Sequence, residues 1–462
     1  MAFTTVTITR DYDLADGTDP AGTVSFTPTA PMVNGTTVVA AKVTERLNVD
    51  GLLTIDLAAN TDPATLPAGT TYLVEEDIGG ARRSYYVEIP HDQGAALDLS
   101  TLASAGVAPA ISFPAKVIVE APLSLKDPRV GCTLDGTGDE SAKVATAIGL
   151  LPANGGHIYH PPGILRTGAI SFDRPVYWQG AGTQASTIKA ASGFTGTQLT
   201  ITSDAPFSHV SQVAIDGNGV ATNLLKVASA RTLISHVYLS GQDGTSGAAL
   251  WFNGVSSAAS AHAAQVSNVR ILSCDGYGVF LQGFAYDNEF VNLWVGSCNV
   301  GIRAQDASGF FTNTHVWGSI GNGVELRANN HLFSNCYIET NGGSGFNLFN
   351  ASNVRISNST IWKNVNHGVS VDTCDRLSVI GCHIYDQGLN GVNGNNSLYG
   401  QIVGNTFYDV AASSQSQDRP IATAGTSDKW IVTNNVMLTS EHAVGASSLV
   451  GANNILTNNI TS

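Results

Sequence analysis

The sequence predicts an all-β chain in which a right-handed parallel β-helix follows a small N-terminal β-sandwich. Glycines recur through the C-terminal half at Gly278, Gly301, Gly323, Gly345, Gly368 and Gly391, separated by 23, 22, 22, 23 and 23 residues, each before an apolar residue. A second apolar column keeps the same pace at Ile271, Val295, Val316, Ile338, Ile361, Ile384 and Phe407. Only one segment of the 462 residues has helical spacing. A fixed period of this size marks a solenoid. With no helix inside the repeat, each unit must be a coil of strands and bends, stacked at the ~4.8 Å strand spacing.

The elements follow in order. Residues 1–105 carry short alternating or β-branched runs, among them "TVTITRDY", "GLLTIDLAA" and "RRSYYVEIP", separated by turn residues, a pattern that predicts a sandwich. Residues 106–128 have scattered prolines and no period, and read as a connector. Residues 129–165 hold a capping helix and the first strand of the β-helix. Val144, Ile148 and Leu151 have helical spacing, Asp139 is placed to cap the start, and Pro152 closes the segment before "GGHIYHPPG". Residues 166–462 form the β-helix.

Composition narrows the partners. Charged residues make up 13%, against about 25% in an average domain, so the polar surface is mostly neutral. The net charge of −14 argues against nucleic acid and against anionic membrane surfaces. It also makes an anionic polymer an awkward ligand unless a local basic patch receives it. No apolar run approaches the ~18 residues of a membrane span, and the start lacks the basic and apolar regions of a signal peptide. The chain is therefore expected to fold in the cytoplasm. Six cysteines form no dense framework; Cys274 and Cys298 share a column and are expected as stacked thiols. No metal-ligand spacing is present, and no cofactor is expected.

Strand alternation assigns directions. If Ile338, Ile361 and Ile384 point inward, one outward column reads Arg270, Trp294, His315, Tyr337, Thr360, His383 and Thr406. The other reads Leu272, Gly296, Trp317, Glu339, Trp362, Tyr385 and Tyr408. Large rings thus gather outside the solenoid, and a row of exposed aromatics needs a reason. One reason is a protomer interface, where Trp and Tyr are favoured. The other is a sugar-binding groove, in which rings stack on pyranose faces while His and Glu meet hydroxyls. Trp294, His315, Trp317, Tyr337, Trp362, Lys363, His383, Tyr385 and Tyr408 are the candidate substrate-binding residues.

Glu339 sits among Trp317, Trp362 and Tyr337, a setting suited to a general acid. Asp386 lies two coils further on, so the two carboxyls are expected about 9–10 Å apart, near the upper end of the gap in inverting glycosidases. Glu339 and Asp386 are the candidate catalytic pair of a hydrolase. A lyase would instead need a base and a neutralising cation, for which Lys363, His315 and His383 are available; sparse basic residues make this the weaker choice.

Three ordered stretches resemble a known family. "DGTGDESAKVATAI", Asp135 to Ile148, resembles the D-G-x-x-D-D-T-x-A-I leading motif of pectate-lyase-like phage tailspikes and depolymerases. "GGHIYHPPG" resembles their G-G-x-V-x-φ-P-P-G, and "VYWQGAGTQASTI" their first coil. His160 and Leu165 depart from the usual residues there. The first hundred residues, with "GTVSFTPTAPM", look like the N-terminal β-domain of minor tail proteins from phages of actinobacteria. The resemblance implies a homotrimer in the virion tail, attached to other tail proteins through its N-terminal domain and meeting a host cell-surface glycan through the β-helix. It supplies no catalytic residue. A non-catalytic receptor-binding or structural tail protein and a secreted polysaccharide lyase are the alternatives.

Overall fold

The computed structural model describes residues 3–13, 19–35, 37–67, 69–79, 81–102, 122–409, 417–438 and 447–461. The chain divides into two compact units, Met1–Ile118 and Val119–Ser462.

In the first unit, Thr5–Asp11 pairs antiparallel with Leu52–Ala58 and parallel with Ala96–Asp98. A second sheet orders Val43–Arg46, Gly22–Pro28, Tyr72–Ile78 and Ala81–Val87, all antiparallel. Val6, Ile8 and Leu53 from the first sheet and Val24, Phe26 and Val74 from the second share one core. The period-2 alternation of both sets of strands puts one side chain in two into it.

Residues 103–121, most of the expected connector, lie outside the described residues. Leu123–Ser124, read from sequence as connector, instead form a strand of the second unit, with Leu123 opposite Ile158. Leu125 is fully buried in the solenoid core and draws this segment into the first coil.

Ser141–Gly149 is the single α-helix among the described residues and buries Val144, Ala147 and Ile148. The Asp139 carboxylate accepts the Ser141 N–H at 2.9 Å, as a residue at the mouth of a helix does for its orphan donors.

The remainder is one continuous 32-stranded sheet wound into a parallel solenoid of about 12 turns. Its register is the sequence period made physical. Ile271, Val295, Val316, Ile338, Ile361, Ile384 and Phe407 are opposite one another coil by coil, and all are fully buried. The glycines recur because the coils touch there. A Cβ on Gly345 would lie 2.7 Å from the Gly368 carbonyl oxygen, and one on Gly368 2.6 Å from that of Gly391. Cys274 is opposite Cys298 and both are free thiols.

Beside the aliphatic column run two ladders of polar side chains. At one bend, Cys336 N–H donates to Ser359 Oγ at 3.0 Å and Cys382 N–H to Asn405 Oδ1 at 2.8 Å. At the other, Asn341 and Asn364 pass hydrogen bonds to Asn364 Oδ1 and Gln387 Oε1 (2.9 and 3.1 Å). Each ladder satisfies buried backbone groups where the strands end.

Candidate functional site: a wall of aromatic rings

The strands His315–Trp317, Tyr337–Glu339, Thr360–Trp362 and His383–Tyr385 pair in parallel, so both outward columns are observed in register. In the first, Trp294 is opposite His315, and His315 opposite Tyr337. In the second, Trp317, Glu339, Trp362, Tyr385 and Tyr408 follow one another without a gap. The central residues of these strands point in, and their flanks necessarily point out.

By ring contact the rings form two groups, joined through the Tyr337 and Tyr385 hydroxyls. Trp294, 48% exposed, meets His315 at 5.8 Å and stands at 89° to Trp317 at 6.2 Å. His315 continues to Tyr337 at 5.0 Å. The Trp317 indole lies over Gly296, whose missing Cβ leaves it that space. In the second group Trp362 meets Tyr385 at 5.9 Å, and Tyr385 stacks on Tyr408 at 4.5 Å and 9°. Those two phenols cover each other's faces and offer edges and hydroxyls, whereas Trp294 offers open ring surface. Burial raises the pKa of Tyr385, reinforced by the neighbouring Tyr337 and Tyr408, and that of Tyr337, reinforced by Glu339, so these hydroxyls stay protonated donors.

Glu339 stands where the wall breaks. In the column Trp317, Glu339, Trp362 the carboxylate replaces a ring, and its Oε1 is 2.9 Å from His315 Nε2. Cations flank the wall: Arg270 lies 5.7 Å over Trp294 and Lys363 5.9 Å over Trp362. His383 is exposed, separated from Tyr337 by Thr360, and has no ring contact among the described residues.

Asp386 is not on the outward face. The strand ends at Tyr385, and Asp386 turns into the left-handed region at φ +52°. It is 2% exposed, and its Oδ2 accepts the Trp362 indole N–H at 3.0 Å. Its own N–H donates to Asp409 Oδ1 at 3.1 Å. The expected pair of outward carboxylates is therefore one outward carboxylate with a histidine and one buried carboxylate behind an indole. The sequence reading also missed the polar ladder of Asn341, Asn364 and Gln387 under the wall. Its signal was available: these amides fall three residues after each interior isoleucine.

Among the described residues no group of three or more His, Cys, Asp or Glu could hold a metal ion, and no helix is long and apolar enough to cross a membrane.

The family model described as the right handed beta helix region matches residues 253–437 and again 351–462. No curated protein is recognisably similar in sequence. Among solved structures the chain is similar to the A-module of the Azotobacter vinelandii mannuronan C-5 epimerase AlgE4, with 18% identity, 74% of this chain and 99% of that chain covered, and TM-score 0.56. It is also similar to the Agl-KA catalytic domain, with 13% identity, coverage of 96% and 88%, and TM-score 0.52. The Dettilon tailspike protein aligns at 12% identity, coverage of 71% and 68%, and TM-score 0.44. At these identities the likeness is one of fold: a right-handed β-helix.

Proposed function

We propose that the protein is a phage tail protein that binds a host cell-surface polysaccharide along the ring wall and cleaves it beside Glu339. The observation that carries this reading is the position of the Glu339 carboxylate, at the one break in a wall of rings and hydrogen-bonded to His315 at 2.9 Å. A sugar lying across that break has ring surface on both sides and an imidazole–carboxyl pair at its glycosidic oxygen, the arrangement needed to move a proton there. Trp294, Trp317 and Tyr337 hold one side and Trp362, Tyr385 and Tyr408 the other. Lys363 and His383 border the path. Asp386 in this reading positions Trp362 and does not touch the sugar. The similarity to a mannuronan epimerase module, by its name a polysaccharide-modifying protein, supports a carbohydrate ligand. The tail setting, a homotrimer and attachment through residues 1–105 rest on the motifs "DGTGDESAKVATAI", "GGHIYHPPG" and "GTVSFTPTAPM".

A second reading, receptor binding without turnover, is favoured by one observation: the second carboxylate is buried. An array of bacterial surface polysaccharides separates the two. The wild type is expected to bind a polysaccharide and release oligosaccharides from it, and Glu339→Gln to bind without release. Binding with no fragments by mass spectrometry would leave only receptor binding; no binding at all would end the carbohydrate reading. Light scattering is expected to give about three times 48.0 kDa, and a monomer would contradict the homotrimer.

A further inference from the structure

Across the bend at Asn313, Asn335 and Asn358, the strands that precede the wall strands carry a concavity of about 860 Å³. Its floor is the outward column Phe310, Leu332, Arg355, Ser378 and Gln401, in register over five coils. Four strand spacings make it about 19 Å long. One rim is the column of left-handed residues Asn330, Asn353, Arg376 and Tyr399. Here an amide ladder, with Asn353 Nδ2 donating to Asn330 Oδ1 at 3.1 Å, gives way to a cation and a ring.

The charge of this groove is opposite to that of the chain. None of the residues lining it is acidic, in a protein of net charge −14. Arg355 and Arg376 are exposed and lie on adjacent coils. Elsewhere on the solenoid, Arg303 and Arg327 are tied to Glu325 at 3.5 and 3.0 Å. No ion pair holds Arg355 or Arg376 among the described residues. The neighbouring Asp375 carboxylate is engaged by the Leu398 N–H at 3.2 Å. A third cation closes one end: Lys429 Nζ donates to the Tyr399 hydroxyl at 3.0 Å, and the adjacent Asp428 carboxylate turns to Asn453 at 2.6 Å. Tyr399, 46% exposed, and Phe310 supply ring surface, while Asn353, Ser378 and Gln401 supply neutral donors and acceptors. Guanidiniums with no ion-pair partner among the described residues, beside rings and amides, match a ligand that combines anionic groups with hydroxylated rings.

We propose that this groove binds an anionic oligosaccharide, whose carboxylate or phosphate groups meet Arg355 and Arg376 and whose sugar rings lie against Phe310 and Tyr399. It is a site separate from the ring wall, on another face of the same coils, and stands whether or not the wall cleaves glycan. It is also the local basic patch that lets so acidic a chain take an acidic polymer.

The test is calorimetric titration of the full chain with three oligomers of matched length: a uronic-acid oligomer, a glycerol-phosphate oligomer and a neutral gluco-oligomer. At least one anionic oligomer is expected to bind, about tenfold more weakly when salt is raised from about 0.05 to about 0.5 M. Which of the two binds names the source of the anion. Arg355→Gln with Arg376→Gln is expected to weaken binding by at least about tenfold. The paired Lys variant should restore part of it, since the point charge returns without the fork. Arg327→Gln, which removes a cation outside the groove, is expected to leave this affinity unchanged. Should the double Gln variant not fold, Gln401→Glu sets a carboxylate in the same groove and is expected to weaken the anionic oligomer alone. Binding of neither anionic oligomer, or full affinity for it in the double Gln variant, would each overturn the proposal.

Discussion

Gly345→Ala is expected to destabilise the solenoid by about 2–4 kcal/mol without any change of charge or polarity. The added Cβ would meet the Gly368 carbonyl oxygen at 2.7 Å, Asn364 Nδ2 at 2.9 Å and Ile361 Cγ2 at 2.9 Å. None of these can yield cheaply. The carbonyl accepts the Phe346 N–H at 2.9 Å and so sets the coil spacing. Asn364 Nδ2 is held by Gln387 Oε1, and Ile361 is in the core column. Overpacking a methyl into such a site costs about 1–3 kcal/mol, and a lengthened buried hydrogen bond adds about 1 kcal/mol. Gly138→Ala is the control, because its Cβ has nothing within 4 Å, and it is expected to stay within about 0.5 kcal/mol of wild type. All six tryptophans lie from Trp178 onward, so tryptophan fluorescence in a guanidinium titration reports the second unit alone. A Gly345→Ala midpoint equal to that of Gly138→Ala would refute the claim that the period exists because coils touch at glycine.

Asp386→Asn keeps an acceptor for the Trp362 indole and is expected to retain fragment release within about threefold, while Asp386→Ala weakens glycan binding; loss of release in the Asn variant alone would restore Asp386 as a catalytic carboxylate. Gly296→Ala fills the space under the Trp317 indole and is expected to weaken glycan binding about 3–10-fold, read by titration, with thermal stability nearly unchanged; unchanged affinity would remove Trp317 from the binding surface. Burial pushes the His160, His209 and His331 imidazoles down to about 4, so the unfolded chain binds more protons between that value and the ordinary 6.5. Stability is then full above pH 6.5 and falls as pH drops, by about 2 kcal/mol per histidine at pH 5. Denaturant midpoints at pH 7.5 and 5.0 check this: His331→Phe should lose about a third of the difference, and a flat wild-type profile would refute it.

The fold was legible because a solenoid writes its geometry along the chain. Ile338, Ile361 and Ile384 are stacked in space at the interval at which they are spaced in sequence, so one column fixes the rest and alternation supplies the outward faces. The same rule should have excluded Asp386. With Ile384 inward and Tyr385 outward, position 386 falls on the inner side, and the left-handed bend completes the turn under Trp362. Pairing of carboxylates alone suggests Asp386, whereas Glu339 is in the outward column itself. The strand Leu123–Ser124 reads as connector for the opposite reason. Leu123–Ser124 is two residues long and precedes any repeat, so no neighbour in sequence announces the strand that Ile158 completes.

The cationic groove shows a further limit of column reading. Arg355 belongs to a strand column and Arg376 to a bend column, and the two run at different offsets from the glycine marker, so neither series shows a cluster. Only the curvature of the coil, which brings strand and bend to one rim, makes them neighbours. Net charge hid it further, because a balance of −14 averages over faces that the solenoid keeps apart. A parallel β-helix exposes several faces along its length, and the two proposed sites use different ones. On this chain the two sides differ in chemistry: aromatic edges with one carboxyl and two flanking cations on the wall, and guanidiniums with no carboxyl in the groove. On the proposed readings an acidic glycan seeks the groove, where no lining residue is acidic, while a neutral one has reason to seek only the wall. A ligand that bound both faces equally, with one affinity and one salt dependence, could not be accommodated by that division of charge.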